Sequence, residues 1–289
     1  MSDPRVFRSD VENQWCPGCP NHAILAALEQ ALTSLGVAPH EVCLVSGIGQ
    51  AAKLPHYLRA NVFNGLHGRA VPAAIGIHVA HPGVRTIVTS GDGDLYGEGG
   101  NHLLHAFRRN PDITVVVHNN QIYALTKGQA SPTTPRGERT RLQFGGVESD
   151  PVRMLATAIV HGCTFVARGF TGDRDELAGI LRRAITHRGL SLVEVVQPCI
   201  TWSNHSIDWY RERIVPLGAD HEPGDRHRAI AEALRGPEEL VVGVLYERPS
   251  QRTFAASFRE RVGNQPLAEL EATAVDALKE RLAALRVEG

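Results

Sequence analysis

Arg85 to Gln129 reads RTIVTSGDGDLYGEGGNHLLHAFRRNPDITVVVHNNQIYALTKGQ, and the fold is decided within it. Its first segment, Thr86 to Ser90, is a short β-branched run ending at a glycine-rich turn, the pattern of a buried parallel strand that stops at a binding edge. Ile113 to His118 is a second such strand. Between them, Asn101 to Arg109 places Leu103, Leu104, Ala106 and Phe107 at helical spacing, and Asn110-Pro111 stops the helix. The unit is strand, turn, helix, strand.

The turn Gly91-Asp92-Gly93-Asp94 and the pair Asn119-Asn120 then fall at the carboxyl ends of neighbouring strands, where open α/β sheets put their ligands. An aspartate and an amide oxygen converging beside glycines that let the backbone approach closely suit a hard Mg²⁺, its other ligands being phosphate oxygens and water. Gly-Asp-Gly alone is a common turn. The asparagine pair, one helix and one strand later, is what sets this one apart.

Outward from this unit the same alternation continues. Val42 to Ser46 reads as a strand, Val71 to Val79 as an apolar helix, and Asp150-Pro151 as the cap of a helix from Val152 to His161. Thr164 to Ala167 is a strand, Arg174 to His187 an amphipathic helix and Ser191 to Val196 a strand. From about residue 42 to 197 the pattern predicts α/β architecture with a doubly wound, mostly parallel sheet. Beyond Thr201 it loosens, with a late strand at Leu240 to Tyr246 and a helix from Leu267 to Leu285 carrying Leu270, Ala274, Leu278, Leu282 and Leu285 on one stripe. The expected division is an α/β domain over 1–200, including an N-terminal Cys-x-x-Cys segment, and an arm and helix over 201–289 that pack on it or on partner subunits.

Composition narrows the function classes. With 289 residues, 43% hydrophobic and 21% charged, the chain can bury a sizeable core. Its formal charge of −1 gives no electrostatic footprint for nucleic acid or an anionic membrane. The opening Met-Ser-Asp-Pro-Arg lacks an apolar signal core, and no run approaches the ~18 apolar residues of a spanning helix, so the expected location is cytoplasmic. Five cysteines, an odd number, argue against a disulfide framework.

Two of those cysteines lie in Trp15-Cys16-Pro17-Gly18-Cys19-Pro20-Asn21-His22, ahead of the apolar helix Ala23 to Leu35. Spacing leaves a redox dithiol, half of a zinc site and half of an iron–sulfur site open. The polar leader before the pair, where a thioredoxin-like motif has a strand, counts against the first. Cys43 and Cys163 stand alone in apolar surroundings, which suits buried inert thiols. Lys53 offers an ammonium for an anionic substrate or a solvated surface charge. His67-Gly68-Arg69 precedes an apolar helix, where oriented N–H groups and the helix dipole favour phosphate. The polar loop from Ala130 to Arg141 is long enough to be functional.

Together these segments resemble a known family. Gly-Asp-Gly followed some thirty residues on by Asn-Asn looks like the motif of thiamine-diphosphate enzymes. Gly91 to Gly97, Gly99 to His102, Leu125 to Thr134, Leu66 to Ala70 and Trp15 to Cys19 resemble more narrowly the β subunit of 2-oxoacid:ferredoxin oxidoreductases. The resemblance implies Mg²⁺ held by the side chains of Asp92 and Asn120 and the main-chain oxygen of Ile122. It implies thiamine diphosphate lying against Gly47-Ile48-Gly49, His67, Gly91-Asp92-Gly93-Asp94, Asn120 and Ile122-Tyr123-Ala124-Leu125-Thr126. Lys53, Leu125 and Lys127 would contact the substrate.

An iron–sulfur cluster in that family takes two cysteines from the N-terminal motif, one from a Gly-Ile-Gly-Cys turn and one from Gln-Pro-Cys. Cys16, Cys19 and Cys199 match, but Gln50 stands where the third cysteine belongs. A carboxamide is a poor replacement for thiolate on iron. A [4Fe-4S] cluster completed by another group, a [3Fe-4S] cluster and no cluster therefore all stay open. The implied activity is oxidative decarboxylation of a 2-oxoacid to acyl-CoA and CO₂, with coenzyme A as co-substrate and electrons passed to ferredoxin. The segment after Leu125 leans toward 2-oxoglutarate, with pyruvate as the other expected substrate. The catalytic glutamate is expected on an α subunit, in an αβ or (αβ)₂ assembly. The alternative is a non-oxidative thiamine-diphosphate decarboxylase or carboligase that has lost the normal cluster. Trp202 and Trp209 are expected as interface anchors.

Overall fold

Ten strands form among the described residues, most of them from the β-branched runs: β1 (Val42–Ser46), β2 (Asn61–Asn64), β3 (Arg85–Gly91), β4 (Thr114–Asn119), β5 (Ile122–Tyr123), β6 (Gln129–Ala130), β7 (Phe165–Phe170), β8 (Ser191–Val196), β9 (Ile214–Pro216) and β10 (Leu240–Glu247). This computed structural model describes residues 4–249 and, beyond them, residues 253, 254, 256, 259, 260, 263, 265–267, 279, 280, 283 and 284. The eight-stranded sheet runs in the order β2-β1-β3-β4-β8-β7-β10-β9, while β5 and β6 make a separate hairpin. All pairings from β2 across to β7 are parallel; β10 is antiparallel to β7 and parallel to β9.

Helices cover both faces. On one side lie α2 (Ala70–Ala80), α3 (Gly100–Arg109), α4 (Met154–Val160) and α7 (Arg226–Leu234), and on the other α1 (Asn21–Ser34) and α5 (Arg174–Thr186); the short α6 (Ile207–Arg211) lies beyond β8. Strand alternation feeds the two cores: Val115 and Val117 of β4 join the first and Val116 the second, as a period of two requires. In α3 the apolar stripe buries Leu103, Ala106 and Phe107, with about 1.5–3 kcal/mol for each large side chain.

Three expectations are adjusted. The helix after Asp150 begins at Met154 with no side-chain cap, because the Asp150 carboxylate is taken by Arg136 Nε at 2.7 Å. Past Thr201 the chain returns to the sheet as β9 and β10, so residues 214–247 share its main layer. Of the helix expected over 267–285, the apolar positions Leu270, Ala274, Leu278, Leu282 and Leu285 lie outside the described residues.

Parallel register aligns the strand ends. Gly91 pairs with His118 and Asn119 with Val196, so the segments after β3, β4 and β8 leave the sheet side by side, with the one after β1 next to them. That edge carries the site. Among the described residues no helix is long and apolar enough to cross a membrane.

Candidate active site

Three strand-end segments and one hairpin line a chamber: Ile48 to Ala51 after β1, Gly91 to Asp94 after β3, Asn120 after β4, and Ile122 to Thr126 in and beyond β5, with His67 from the turn before α2. Gly93 to Glu98 winds as a π-helical turn, a device that re-aims side chains at functional positions. Its first residue must be glycine, since a Cβ there would come within 2.7 Å of Tyr123 Cδ1. The Tyr123 hydroxyl reaches Glu98 Oε2 at 3.2 Å and the Gly93 carbonyl at 3.3 Å, which pins hairpin to turn.

Asp92 and Asp94 have different work. Asp94 is fully engaged by its own chain: Oδ1 accepts from the Ile48 and Gly68 amides at 3.0 and 2.8 Å, and Oδ2 accepts from Ser90 Oγ at 2.8 Å. His67 Nδ1 lies 2.7 Å from the same Oδ1. One carboxylate thus gathers the segments after β1, before α2 and after β3. Gly47 must be glycine for this, because a Cβ would sit 2.6 Å from Asp94 Cγ.

Asp92 is 1% exposed, and Oδ2 accepts from Ser131 Oγ at 2.5 Å and Thr133 Oγ1 at 2.6 Å. Burial pushes its carboxyl up to about 6, against the lowering effect of those hydroxyls and of the Asn120 amide. No lysine, arginine or histidine among the described residues pairs with it. A buried carboxylate short of a countercharge, beside a second oxygen donor, fits a divalent cation. Asn120 Oδ1 at present accepts from the Ile122 amide at 3.0 Å.

The substrate-contact candidates are more scattered. Leu125 lines the chamber and is exposed, whereas Lys127 is exposed at the hairpin tip with φ of 76° and Lys53 is half-buried in the 3-10 segment after Gln50. Neither lysine lines the chamber. Arg69 is spent on the carbonyls of His67 and Glu98.

A second cavity adjoins the first. It is lined by Cys16, Cys19, Cys199, Gln50, Gln197 and Trp202, among others, and shares Gln50, Asn120 and Ala124 with the chamber. No three His, Cys, Asp or Glu side chains among the described residues converge on a single-ion position. Gln50 Oε1 and Gln197 Oε1 are buried without a hydrogen-bond partner. Gln197 Nε2 points at Cys19 Sγ at 4.0 Å, and Thr201 Oγ1 lies 3.5 Å from Cys16 Sγ. Burial pushes the Cys19 thiol up; the Asn21 backbone and side chain hydrogen-bond it and act the other way. Three thiols with amide and hydroxyl donors around them fit an iron–sulfur cluster. Cys43 and Cys163 are buried in the apolar core, away from this cavity.

Behind Cys19 stands a network that sequence reading misses. His118 is fully buried and pulled down to about 3 by burial, hence neutral; its Nδ1 lies 2.8 Å from Asn21 Oδ1 and its Nε2 2.9 Å from Thr89 Oγ1. Trp202 and Trp209 are engaged within the chain: Trp202 lines the cysteine cavity under Arg141, and Trp209 lies between His205 and Arg213.

The family described as thiamine pyrophosphate enzyme, C-terminal TPP binding domain matches residues 44–195, and the family describing the C-terminal part of the pyruvate ferredoxin oxidoreductase beta chain matches residues 199–261. The fold is that of a thiamine-pyrophosphate enzyme, and the residues that line the chamber fall within the matched stretch. The chain is 42% identical over 264 residues to the 2-oxoacid:ferredoxin oxidoreductase subunit beta of Saccharolobus solfataricus, covering 86% of each. It is 40% identical over 206 residues to the 2-oxoglutarate oxidoreductase subunit KorB of Mycobacterium tuberculosis, covering 71% of this chain and 55% of that one. A solved structure of 2-oxoglutarate:ferredoxin oxidoreductase from Magnetococcus marinus, with 2-oxoglutarate, coenzyme A and succinyl-CoA bound, matches with a TM-score of 0.90 and 31% identity over 99% of this chain and 97% of that one. This chain belongs to the β subunits of the 2-oxoacid:ferredoxin oxidoreductases.

Proposed function

We propose that the chain is the cofactor-bearing subunit of an enzyme that oxidatively decarboxylates 2-oxoglutarate or pyruvate to the acyl-CoA and CO₂ and passes the electrons to ferredoxin. The observation that carries this reading is the common wall of Gln50, Asn120 and Ala124 between the chamber and the cysteine cavity. A decarboxylating centre and an electron acceptor have to be neighbours, and these two spaces are.

Asp92, Asn120 and the Ile122 carbonyl would hold Mg²⁺, which supplies the countercharge that buried Asp92 lacks. His67 and the turn before α2 would face the diphosphate. When bound, thiamine diphosphate supplies the carbon nucleophile and electron sink that no side chain offers. The protein's part is position and dryness: the Asp94-bound turns hold the floor rigid, and Leu125 covers the chamber with an apolar group. Lys53 and Lys127, which follow the lining residues Ala51 and Thr126 in the chain, would draw in the substrate carboxylates. No glutamate among the described residues lines the chamber, in keeping with a catalytic glutamate from an α subunit in an αβ or (αβ)₂ assembly. An apolar surface suited to such a partner is present on edge strand β2, where Val62 and Phe63, with Leu66 just beyond, are exposed. Cys16, Cys19 and Cys199 would hold the cluster.

Gln50 favours one rival, a non-oxidative decarboxylase or carboligase. Anaerobic co-purification with the α subunit, followed by assay of 2-oxoacid- and coenzyme-A-dependent ferredoxin reduction, separates them. Ferredoxin reduction supports the proposal; an aldehyde or carboligation product without it supports the rival.

A further inference from the structure

Gln50 is the residue at which the two cavities meet, and its side chain is oddly placed for a spectator. Oε1 is buried and accepts no hydrogen bond, an unfavourable state for an uncompensated polar group. The backbone at that point is held firmly: the Gln50 carbonyl accepts from Trp15 Nε1 at 2.7 Å, tying it to the residue just before Cys16, and from the Lys53 amide at 3.3 Å. The carboxamide therefore remains at the cavity wall, with a free acceptor oxygen and three thiols around the same space.

We infer that Gln50 Oε1 ligates one iron of the cluster, so that three corners are held by Cys16, Cys19 and Cys199 and the fourth by a neutral oxygen on the side facing the cofactor chamber. This rests on the reading of the three cysteines as cluster ligands. Gln197, the other buried carboxamide with a free oxygen, is the weaker candidate, because its Nε2 is turned to Cys19 Sγ at 4.0 Å and to the Pro198 carbonyl at 3.3 Å, as a donor to the ligand rather than as a ligand. Gln197 also lies outside the wall shared with the chamber.

Carboxamide oxygen is a harder and weaker ligand for iron than thiolate, so this corner exchanges. One-electron oxidation of [4Fe-4S]²⁺ by ferricyanide releases Fe²⁺ and leaves [3Fe-4S]⁺, with the electron passing to ferricyanide; Fe²⁺ with a reductant reverses it. A reversible loss confined to one iron is the signature.

The test uses the complex with its α subunit, purified anaerobically, with iron and sulfide analysis and electron paramagnetic resonance as readouts. The native complex is expected to hold about four irons per β chain, to lose one on stoichiometric ferricyanide with appearance of the three-iron signal, and to recover it with Fe²⁺ and dithionite. Q50A is expected to be isolated with about three irons per β chain and to give the three-iron signal on ferricyanide oxidation without further loss of iron. Q50C is expected to keep all its iron through the same oxidation, and Q197L to behave like the native complex in iron content. The inference fails if Q50A matches the native complex in iron content and signal, or if Q50C loses iron as readily as the native complex does. A native complex free of iron would overturn the cluster reading itself, a result distinct from either of those.

Discussion

Nδ1 of His118 lies 2.8 Å from Oδ1 of Asn21, so the strand that leads to Asn120 is joined to the first residue of the helix behind Cys19. Because His118 is neutral, its Nδ1–H donates to the Asn21 oxygen while Nε2 accepts from Thr89, and the Asn21 amide group is left facing the Cys19 sulfur. Hydrogen bonds to cluster sulfur raise the reduction potential. With a cluster held at Cys19 as proposed, Asn21→Leu would remove one, and at about 0.5–1.5 kcal/mol per bond the one-electron potential should fall by roughly 20–65 mV. A redox titration followed by electron paramagnetic resonance measures it. An unchanged potential would show that Asn21 only supports the helix.

Asp92 is expected to cost the cofactor-free protein stability in exchange for metal binding. Its carboxylate is buried with hydroxyl and amide donors but no cation, so Asp92→Asn should raise the thermal stability of metal-free protein by about 1–3 kcal/mol. The same substitution should weaken Mg²⁺-dependent thiamine diphosphate binding by more than about 100-fold. Calorimetric titration and melting curves with and without both ligands check the two halves separately.

Gly68 has φ of 69°, donates its amide to Asp94, and would place a Cβ 2.6 Å from the Glu98 carbonyl oxygen. The obstacle is backbone, which cannot rotate away. Gly68→Ala should therefore destabilise by about 2–4 kcal/mol, summing left-handed strain and overpacking, and should displace His67 from the chamber. Denaturant unfolding gives the first number and cofactor affinity the second.

His78, on α2, is buried with neither ring nitrogen hydrogen-bonded, and burial lowers its pKa from 6.5, with Arg259 adding to that and Asp112 opposing it. Below pH 6.5 the unfolded chain takes up a proton that the folded one resists, so unfolding is favoured as pH falls through that value. His78→Phe removes this term and should flatten the acid limb of stability against pH. A curve that keeps its slope below pH 6.5 would assign the limb to other groups.

Much of the parallel sheet is legible in the sequence for a physical reason. Val42 to Ser46 and Ser191 to Val196 are β-branched runs bounded by turns, and they coincide with β1 and β8, buried on both faces. Asn61-Val-Phe-Asn64 is not legible: all four residues are exposed and it is a strand because β1 lies beside it. In the site, Asp92 and Asn120 announce themselves by spacing. Ser131 and Thr133 do not, since hydroxyl residues in a Pro- and Thr-rich stretch read as solvated loop until Asp92 is seen beneath them. The Asn21 to His118 pair spans 97 positions, and no local pattern encodes it.

The wall that the two cavities share has a further consequence. With cofactor and cluster in the two cavities as proposed, an electron would pass from one to the other across the wall of Gln50, Asn120 and Ala124, none of them aromatic. Under that arrangement the residue at position 50 would set the voltage of the wire rather than its length, and a change at that one codon would retune which acceptors the enzyme could drive.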